Sequence, residues 1–232
     1  MIVIICAMSE ERDAFLHSIK SFKKLKFEKL NYHGMSFDNT YYKGKIGHEN
    51  VVILHSGVGK VYAAILTTIA IKKFKPDLVI NVGVAGSLSK NIHVGDIVVA
   101  TRIADWDVDV PGWDRSIMSD KISYAADGKF LKQCSLIKDI SIKKGYIVSG
   151  DEFVYNKAQL KTIKKFFKDA LCCEMEGSSI ANTCYAFNVP FAIIRSISDE
   201  TLVSNNYKKF DDNLNEVCLR AADLCVKIIK RY

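Results

Sequence analysis

Four short segments of this 232-residue chain gather side chains able to move protons. Glu10-Glu11 follows an apolar run near the start. Ser149-Gly150-Asp151-Glu152-Phe153 and Glu174-Met175-Glu176-Gly177 follow later runs, and Ser196-Ile197-Ser198-Asp199 closes the last. Carboxylates grouped in this way suit general acid–base work, in which one accepts a proton while another donates one. The five histidines (17, 33, 48, 55 and 93) form no i, i+4 pair and no HExxH pattern, so no metal site is expected. Each segment taken alone has a plainer use. Glu10-Glu11 can stabilise a helix start, Ser198-Asp199 can serve as an N-cap, and Phe153 can be core. Glu174 and Glu176 share a face only if the backbone between them is extended. What points to a site is their joint placement at strand ends, where open α/β sheets collect ligands.

The elements that would position these groups alternate. Residues 2–7 (IVIICA) read as a strand buried on both faces, followed by a helix that Ser9 can cap. Residues 25–45 alternate weakly, as antiparallel strands do. Strands are then expected at 51–54, 78–84, 97–100, 146–149, 170–174 and 190–196. Helices are expected at 60–74, 128–143, 157–168, 177–187 and about 208–231. Alternation of this kind implies right-handed crossovers and a largely parallel sheet between layers of helix. The expected fold is α/β: one domain over 1–232, a three-layer sandwich with a mixed, mostly parallel central sheet. Ser56-Gly57-Val58-Gly59-Lys60 is similar to a phosphate loop but lacks the GxxxxGK[ST] spacing, so a tight strand-to-helix turn is the better reading.

Composition excludes several classes. Half the residues are apolar and a quarter charged, which is a globular balance. Thirty-three Lys and Arg against 26 Asp and Glu leave +7, but the lysines recur at helical spacing (161, 164, 165, 168) without an aromatic stripe. That pattern marks a solvated face, and no nucleic-acid partner is expected. Seven cysteines, with no CxxC pair, sit mostly in apolar runs and read as reduced core thiols. The opening apolar run is too short for a secretory signal, and no uninterrupted run reaches membrane-spanning length. A soluble, cytoplasmic protein is expected, with no membrane contact.

Seven segments, in order, resemble the 5′-methylthioadenosine/S-adenosylhomocysteine nucleosidases of the nucleoside phosphorylase and hydrolase fold. They are Ala7-Met8-Ser9-Glu10-Glu11, Ser56-Gly57-Val58-Gly59-Lys60, Asn81-Val82-Gly83-Val84-Ala85-Gly86 and Val94-Gly95-Asp96-Ile97-Val98-Val99. Ile147-Val148-Ser149-Gly150-Asp151, Glu174-Met175-Glu176-Gly177 and Arg195-Ser196-Ile197-Ser198-Asp199 complete the set. The likeness weakens between about 112 and 144. Phosphorylases of this fold carry a Gly-Asp-Pro-x-Arg loop near the start, where this chain has acidic residues. Val84 stands where many members carry Ser or Thr, and Trp106, Pro111 and Trp113 depart from the family's pattern.

The resemblance implies roles. Asp199 would protonate the purine at N7 as general acid, which calls for a raised pKa. Glu11 would activate water against C1′ of an oxocarbenium-like transition state. Glu176 would accept the ribose hydroxyls, Phe153 would stack on adenine, and the Val154 backbone would read the purine edge. Met175 would pack on the ribose, and Ser198 would position Asp199. Arg195 would lie near the water and the acid, where its charge would oppose the raised pKa of Asp199. Gly86, Met8, Val58 and Phe210 would complete the binding surface, with Val110 and Trp113 closing the 5′ channel from the partner subunit of a homodimer. The substrate would be a small-molecule nucleoside and no cofactor is implied. A phosphate-dependent phosphorylase, with Arg12, Arg102 and Arg195 as candidate phosphate ligands, and a non-catalytic nucleoside-binding protein remain as alternatives.

Overall fold

A computed structural model describes residues 1–19, 21–27, 40–112, 114, 122–201 and 206–232. In chain order the strands are β1 (Ile2–Cys6), β2 (Lys23–Lys26), β3 (Thr40–Ile46), β4 (Glu49–His55), β5 (Leu78–Ser87), β6 (Ile97–Asp105), β7 (Tyr124–Ala125), β8 (Ile142–Ser149), β9 (Ala170–Glu174) and β10 (Phe191–Glu200). The helices are α1 (Ser9–Ser18), α2 (Lys60–Phe74), α3 (Gly128–Leu136), α4 (Lys157–Phe166), α5 (Gly177–Ala186) and α6 (Asn206–Ile229).

The sheet is mixed. β1 pairs in parallel with β4 and β5, β5 with β10, and β8 with both β6 and β9, while β10–β6, β2–β3 and β3–β4 are antiparallel. Along β1 and β5 successive apolar side chains enter opposite cores, as the two-residue period requires. Ile2, Ile4, Leu78, Ile80 and Val82 meet α1, α3 and α6, whereas Val3, Ile5, Val79 and Ala85 meet α2 and α5. A third cluster beneath β8 and α4 contains Trp106, Val148, Ile163 and Phe167. This is the expected layered sandwich.

Several element boundaries differ from the sequence reading for tertiary reasons, and β6, expected to stop at 100, runs to Asp105 against β8 and β7. The helix expected over 128–143 stops at Leu136, because Ile142 begins β8 in register with Ile97 of β6. β5 does not stop at Val84 but continues to Ser87, because β10 pairs with it through Asp199↔Gly86 and Glu200↔Ser87. β10 likewise runs beyond 196, with one extra residue at Ser198 between the Ile197↔Ala85 and Asp199↔Gly86 pairs. Such a bulge re-aims the side chains after it, and here the first of them is Asp199. Within the antiparallel stretch expected over 25–45, β2 and β3 pair as expected, and residues 28–39 lie outside the described set.

Candidate active site

Near its carboxyl end β5 also bonds β9 through Gly86↔Cys173 and Ser87↔Cys172, so the ends of β1, β5, β9 and β10 meet at one rim. A cavity of about 290 Å³ opens there. Met8, Glu11, Val58, Gly86, Phe153, Val154, Met175, Glu176, Ser198, Asp199 and Phe210, all singled out from sequence, line it. Arg195 stands behind this lining with no exposed surface. Val110 is exposed and does not line the cavity of its own chain, and Trp113 lies outside the described residues.

Glu11 is fixed from three directions. Its Oε2 accepts the backbone N–H groups of Ala7 (2.8 Å) and Met8 (3.1 Å), and its Oε1 accepts that of Val84 (3.0 Å). The N-cap of α1 is therefore Met8, with Glu11 reaching back to its N–H. Ser9, expected as the cap, is already helical, and its hydroxyl donates to Glu10 instead. Burial raises the pKa of Glu11, against the opposing pull of Arg195 and the three N–H donors. A carboxylate held in this state keeps an appetite for protons that a solvated one lacks.

Arg195 organises the floor. Its Nη2 donates to Asn81 Oδ1 and Glu174 Oε2 and lies 3.7 Å from Glu176 Oε2. Burial works against its charge, but Glu174, Glu176 and Glu11 outweigh that effect and hold the guanidinium protonated. Glu174 and Glu176 are its ion-pair partners. Gly83 permits the approach: a Cβ there would collide with Arg195 Nη1 and Glu11 Oε1.

Glu174 and Glu176 do share one environment, but with different duties. Glu174 accepts the N–H groups of Glu176 (3.0 Å) and Gly177 (2.8 Å) and the hydroxyl of Ser149. It is the structural anchor of the β9–α5 turn. Glu176 turns outward to the cavity, its Oε1 accepting the Gly59 N–H at 2.9 Å. Burial, reinforced by the charges of Glu174 and Glu11, raises its pKa against the pull of Arg195.

The glycine turn is not a phosphate loop. Gly59 adopts φ +102°, a conformation that favours glycine, and opens α2. The first helical N–H groups are then taken by the protein's own carboxylates, Glu176 at Gly59 and Asp151 at Lys60 (2.8 Å). Lys60 Nζ is engaged by Asp105 (3.1 Å) and Asp107 (2.6 Å). An anion would find those donors occupied.

At the other end of the cavity the Ser198 hydroxyl donates to Asp199 Oδ1 (2.9 Å). The Phe153 and Phe210 rings stand edge to face, 5.9 Å apart. Sequence reasoning missed Cys173 and Thr201, which also line the cavity, and gave Glu174 and Asn81 no role. Asn81, a lone amide inside the apolar run 78–84, was the one detectable signal among them.

The wider comparisons agree with this architecture. The phosphorylase superfamily profile matches residues 1–230. A 5′-methylthioadenosine/S-adenosylhomocysteine nucleosidase of Exiguobacterium sp. is 37% identical over 98% of this chain and 97% of its own. Its counterpart from Staphylococcus carnosus is 34% identical over 99% of both. Among solved structures, the S. pneumoniae nucleosidase with the transition-state inhibitor MT-ImmA superposes with a TM-score of 0.87 at 30% identity, covering 99% of this chain and 98% of that one. A putative nucleosidase from Borrelia burgdorferi, bound to adenine, also reaches 0.87, at 32% identity and full coverage of both chains. Matched along its whole length by relatives of one kind, the chain belongs to the 5′-methylthioadenosine/S-adenosylhomocysteine nucleosidase family within the phosphorylase superfamily.

Proposed function

We propose that this protein hydrolyses the N-glycosidic bond of 5′-methylthioadenosine and S-adenosylhomocysteine, releasing adenine and the thioribosyl product. The observation that carries this reading is the charge of the cavity wall. Glu11, Glu152, Glu174, Glu176 and Asp199 line it, and no Lys or Arg does among the described residues. Phosphate as a nucleophile would meet carboxylates at the wall, with the Arg195 guanidinium behind it already paired with Glu174 and Glu176, whereas neutral water and a developing sugar cation suit this field. Asp199 gives its proton to the purine N7 as the C1′–N9 bond breaks. Water adds to C1′ and loses a proton to Glu11. Glu176 holds the ribose hydroxyls, and Phe153, Val154 and Gly86 hold the purine. Adenine release from methylthioadenosine should therefore proceed at full rate in phosphate-free buffer and yield free methylthioribose. A requirement for phosphate, with a sugar 1-phosphate as product, would establish the phosphorylase alternative.

The working unit we propose is a homodimer in the cytoplasm. Val61 on α2 is 64% exposed, and Val58 and Val110 on neighbouring loops are 37% and 38% exposed. Exposed apolar side chains such as these are suited to burial against a second copy. Val110, outside its own cavity, would then help to close the partner's 5′ channel. The cysteines, all free and buried, fit a reducing compartment. Sedimentation should give twice the 26.0 kDa chain mass, and a monomer at assay concentration would exclude the shared channel.

A further inference from the structure

The segment that carries Phe153 and Val154 runs from β8 to α4, and its two ends are held differently. At the β8 end, groups from β9 and from just beyond β6 hold it. The Gly150 N–H donates to Glu174 O (3.1 Å) and the Asp151 N–H to Asp107 Oδ2 (2.8 Å). At the α4 end the Gln159 side chain holds it. Gln159 stands at the third position of α4, behind the N-cap Asn156, whose Oδ1 accepts the Ala158 and Gln159 N–H groups (2.9 and 3.0 Å). From there its amide turns back over the segment. The Oε1 accepts the N–H groups of Tyr155 (3.0 Å) and Asn156 (3.3 Å), and the Nε2 donates to Phe153 O (3.1 Å) and Glu152 Oε2 (2.7 Å). With N–H groups on one side and oxygens on the other, only one orientation of the amide satisfies all four.

Helix capping accounts for half of this arrangement. A capping box needs an acceptor at the third helical position, and glutamate supplies it as well as glutamine. The NH₂ group is not required by the helix, and both of its bonds go to residues that line the cavity, Phe153 and Glu152. Two of the four bonds also fall on either side of Val154. The Phe153 C=O belongs to the peptide that precedes Val154, and the Tyr155 N–H to the peptide that follows it. In a planar trans peptide the C=O and N–H point in opposite directions. Fixing the Phe153 C=O therefore sets the direction of the Val154 N–H, and fixing the Tyr155 N–H sets that of the Val154 C=O.

Resting on the nucleosidase reading, in which Phe153 stacks on adenine and the Val154 backbone meets its edge, we propose that Gln159 is a positioning residue for the purine. It touches no substrate atom. It sets the planes of the two peptides that join at Val154 and so aims the groups that grip the base.

Gln159→Glu separates the two duties, because it keeps the acceptor that caps α4 and removes the donor that holds the Phe153 carbonyl. The urea midpoint should stay at the wild-type value or rise, since a carboxylate suits a helix N-terminus. KM for methylthioadenosine should rise about three- to tenfold, the effect of losing one or two hydrogen bonds at a partly solvated position. Its kcat should stay within about twofold, because contacts that hold the purine act on ground state and transition state alike. The Kd of adenine alone, measured by calorimetry, should rise by the same factor as KM, which locates the loss at the purine. Gln159→Met, lacking both halves of the amide, should bind adenine no better than Gln159→Glu and unfold at lower urea. An unchanged adenine Kd in Gln159→Glu overturns the positioning role, as does a loss confined to kcat or one accompanied by a fall in the urea midpoint. Wild-type protein that binds adenine without cleaving methylthioadenosine overturns the nucleosidase reading alone, and the role of Gln159 is then decided by the adenine Kd. Wild-type protein that does neither overturns both.

Discussion

Asp199→Asn and Glu11→Gln should each lower kcat for methylthioadenosine by about 10²- to 10⁴-fold, the usual contribution of a positioned acid or base. The loss at Glu11 should carry a pH signature. Glu11 must be ionised to accept a proton from water, and burial has raised its pKa from 4.5. Wild-type kcat/KM should therefore climb on the acidic side through a value above 4.5, and Glu11→Gln should abolish that limb. Asp199 must hand over a proton to serve as the acid, and the amide of Asp199→Asn has none to give, so that variant loses the leaving-group activation outright. Glu11→Gln also has a structural cost. Both carboxylate oxygens of Glu11 accept backbone N–H groups, and a glutamine must turn its NH₂ toward at least one of them. That mismatch is worth about 1–3 kcal/mol, so the far-ultraviolet spectrum and unfolding midpoint must accompany the rates. Rates within about tenfold of wild type in a folded variant would remove that residue from its role.

Arg195→Met should be the most destabilising single change at the site. The guanidinium has no exposed surface and is the buried cation shared by Glu174 and Glu176, with Glu11 close behind. Removing one partner of a buried ionic cluster strands the others at a cost of about 3–5 kcal/mol, readable by urea denaturation. The loss should depend on pH, and its sign follows from linkage. Glu11 and Glu176 already bind protons more tightly in the folded protein than the ordinary glutamate value of 4.5 allows, and Arg195 opposes that shift in both. Without the arginine their folded pKa values rise further. The folded state then holds more protons than the unfolded one, and stability falls as pH rises above 4.5. The variant should be closest to wild type in acid and weakest in alkali. A loss under about 1 kcal/mol, flat with pH, would mean that water rather than Arg195 balances these carboxylates.

Much of the fold was legible because it depends on short-range pattern. Runs such as Ile2–Cys6 and Leu78–Val82 admit little but buried strands, and the helix over 60–74 matches its expected bounds, because apolar spacing and the Gly57–Gly59 turn both act locally. The candidate site was legible to the extent that its parts lie at strand ends and together resemble one family. The boundaries that failed were those set by a neighbour: β8 captured residues assigned to a helix, and β5 and β10 extended each other beyond where their apolar runs stop. The resemblance set Arg195 near the water and the acid, and the structure pairs its guanidinium with Glu174 and Glu176 from the end of β9 and the turn after it.

Taken by itself, the sequence determined which residues can carry acid–base chemistry and which elements present them, because residue type and two- or 3.6-residue periodicity are properties of the chain. Only the tertiary structure decided what each carboxylate does. Glu174 became an anchor and Glu176 a cavity wall, Glu11 gained three backbone donors from two strand ends, and the N-terminus of α2 was occupied by Asp151 and Glu176. These differences arise from burial and from partners many residues distant, and a carboxylate's proton affinity is set by those surroundings rather than by its place in the chain.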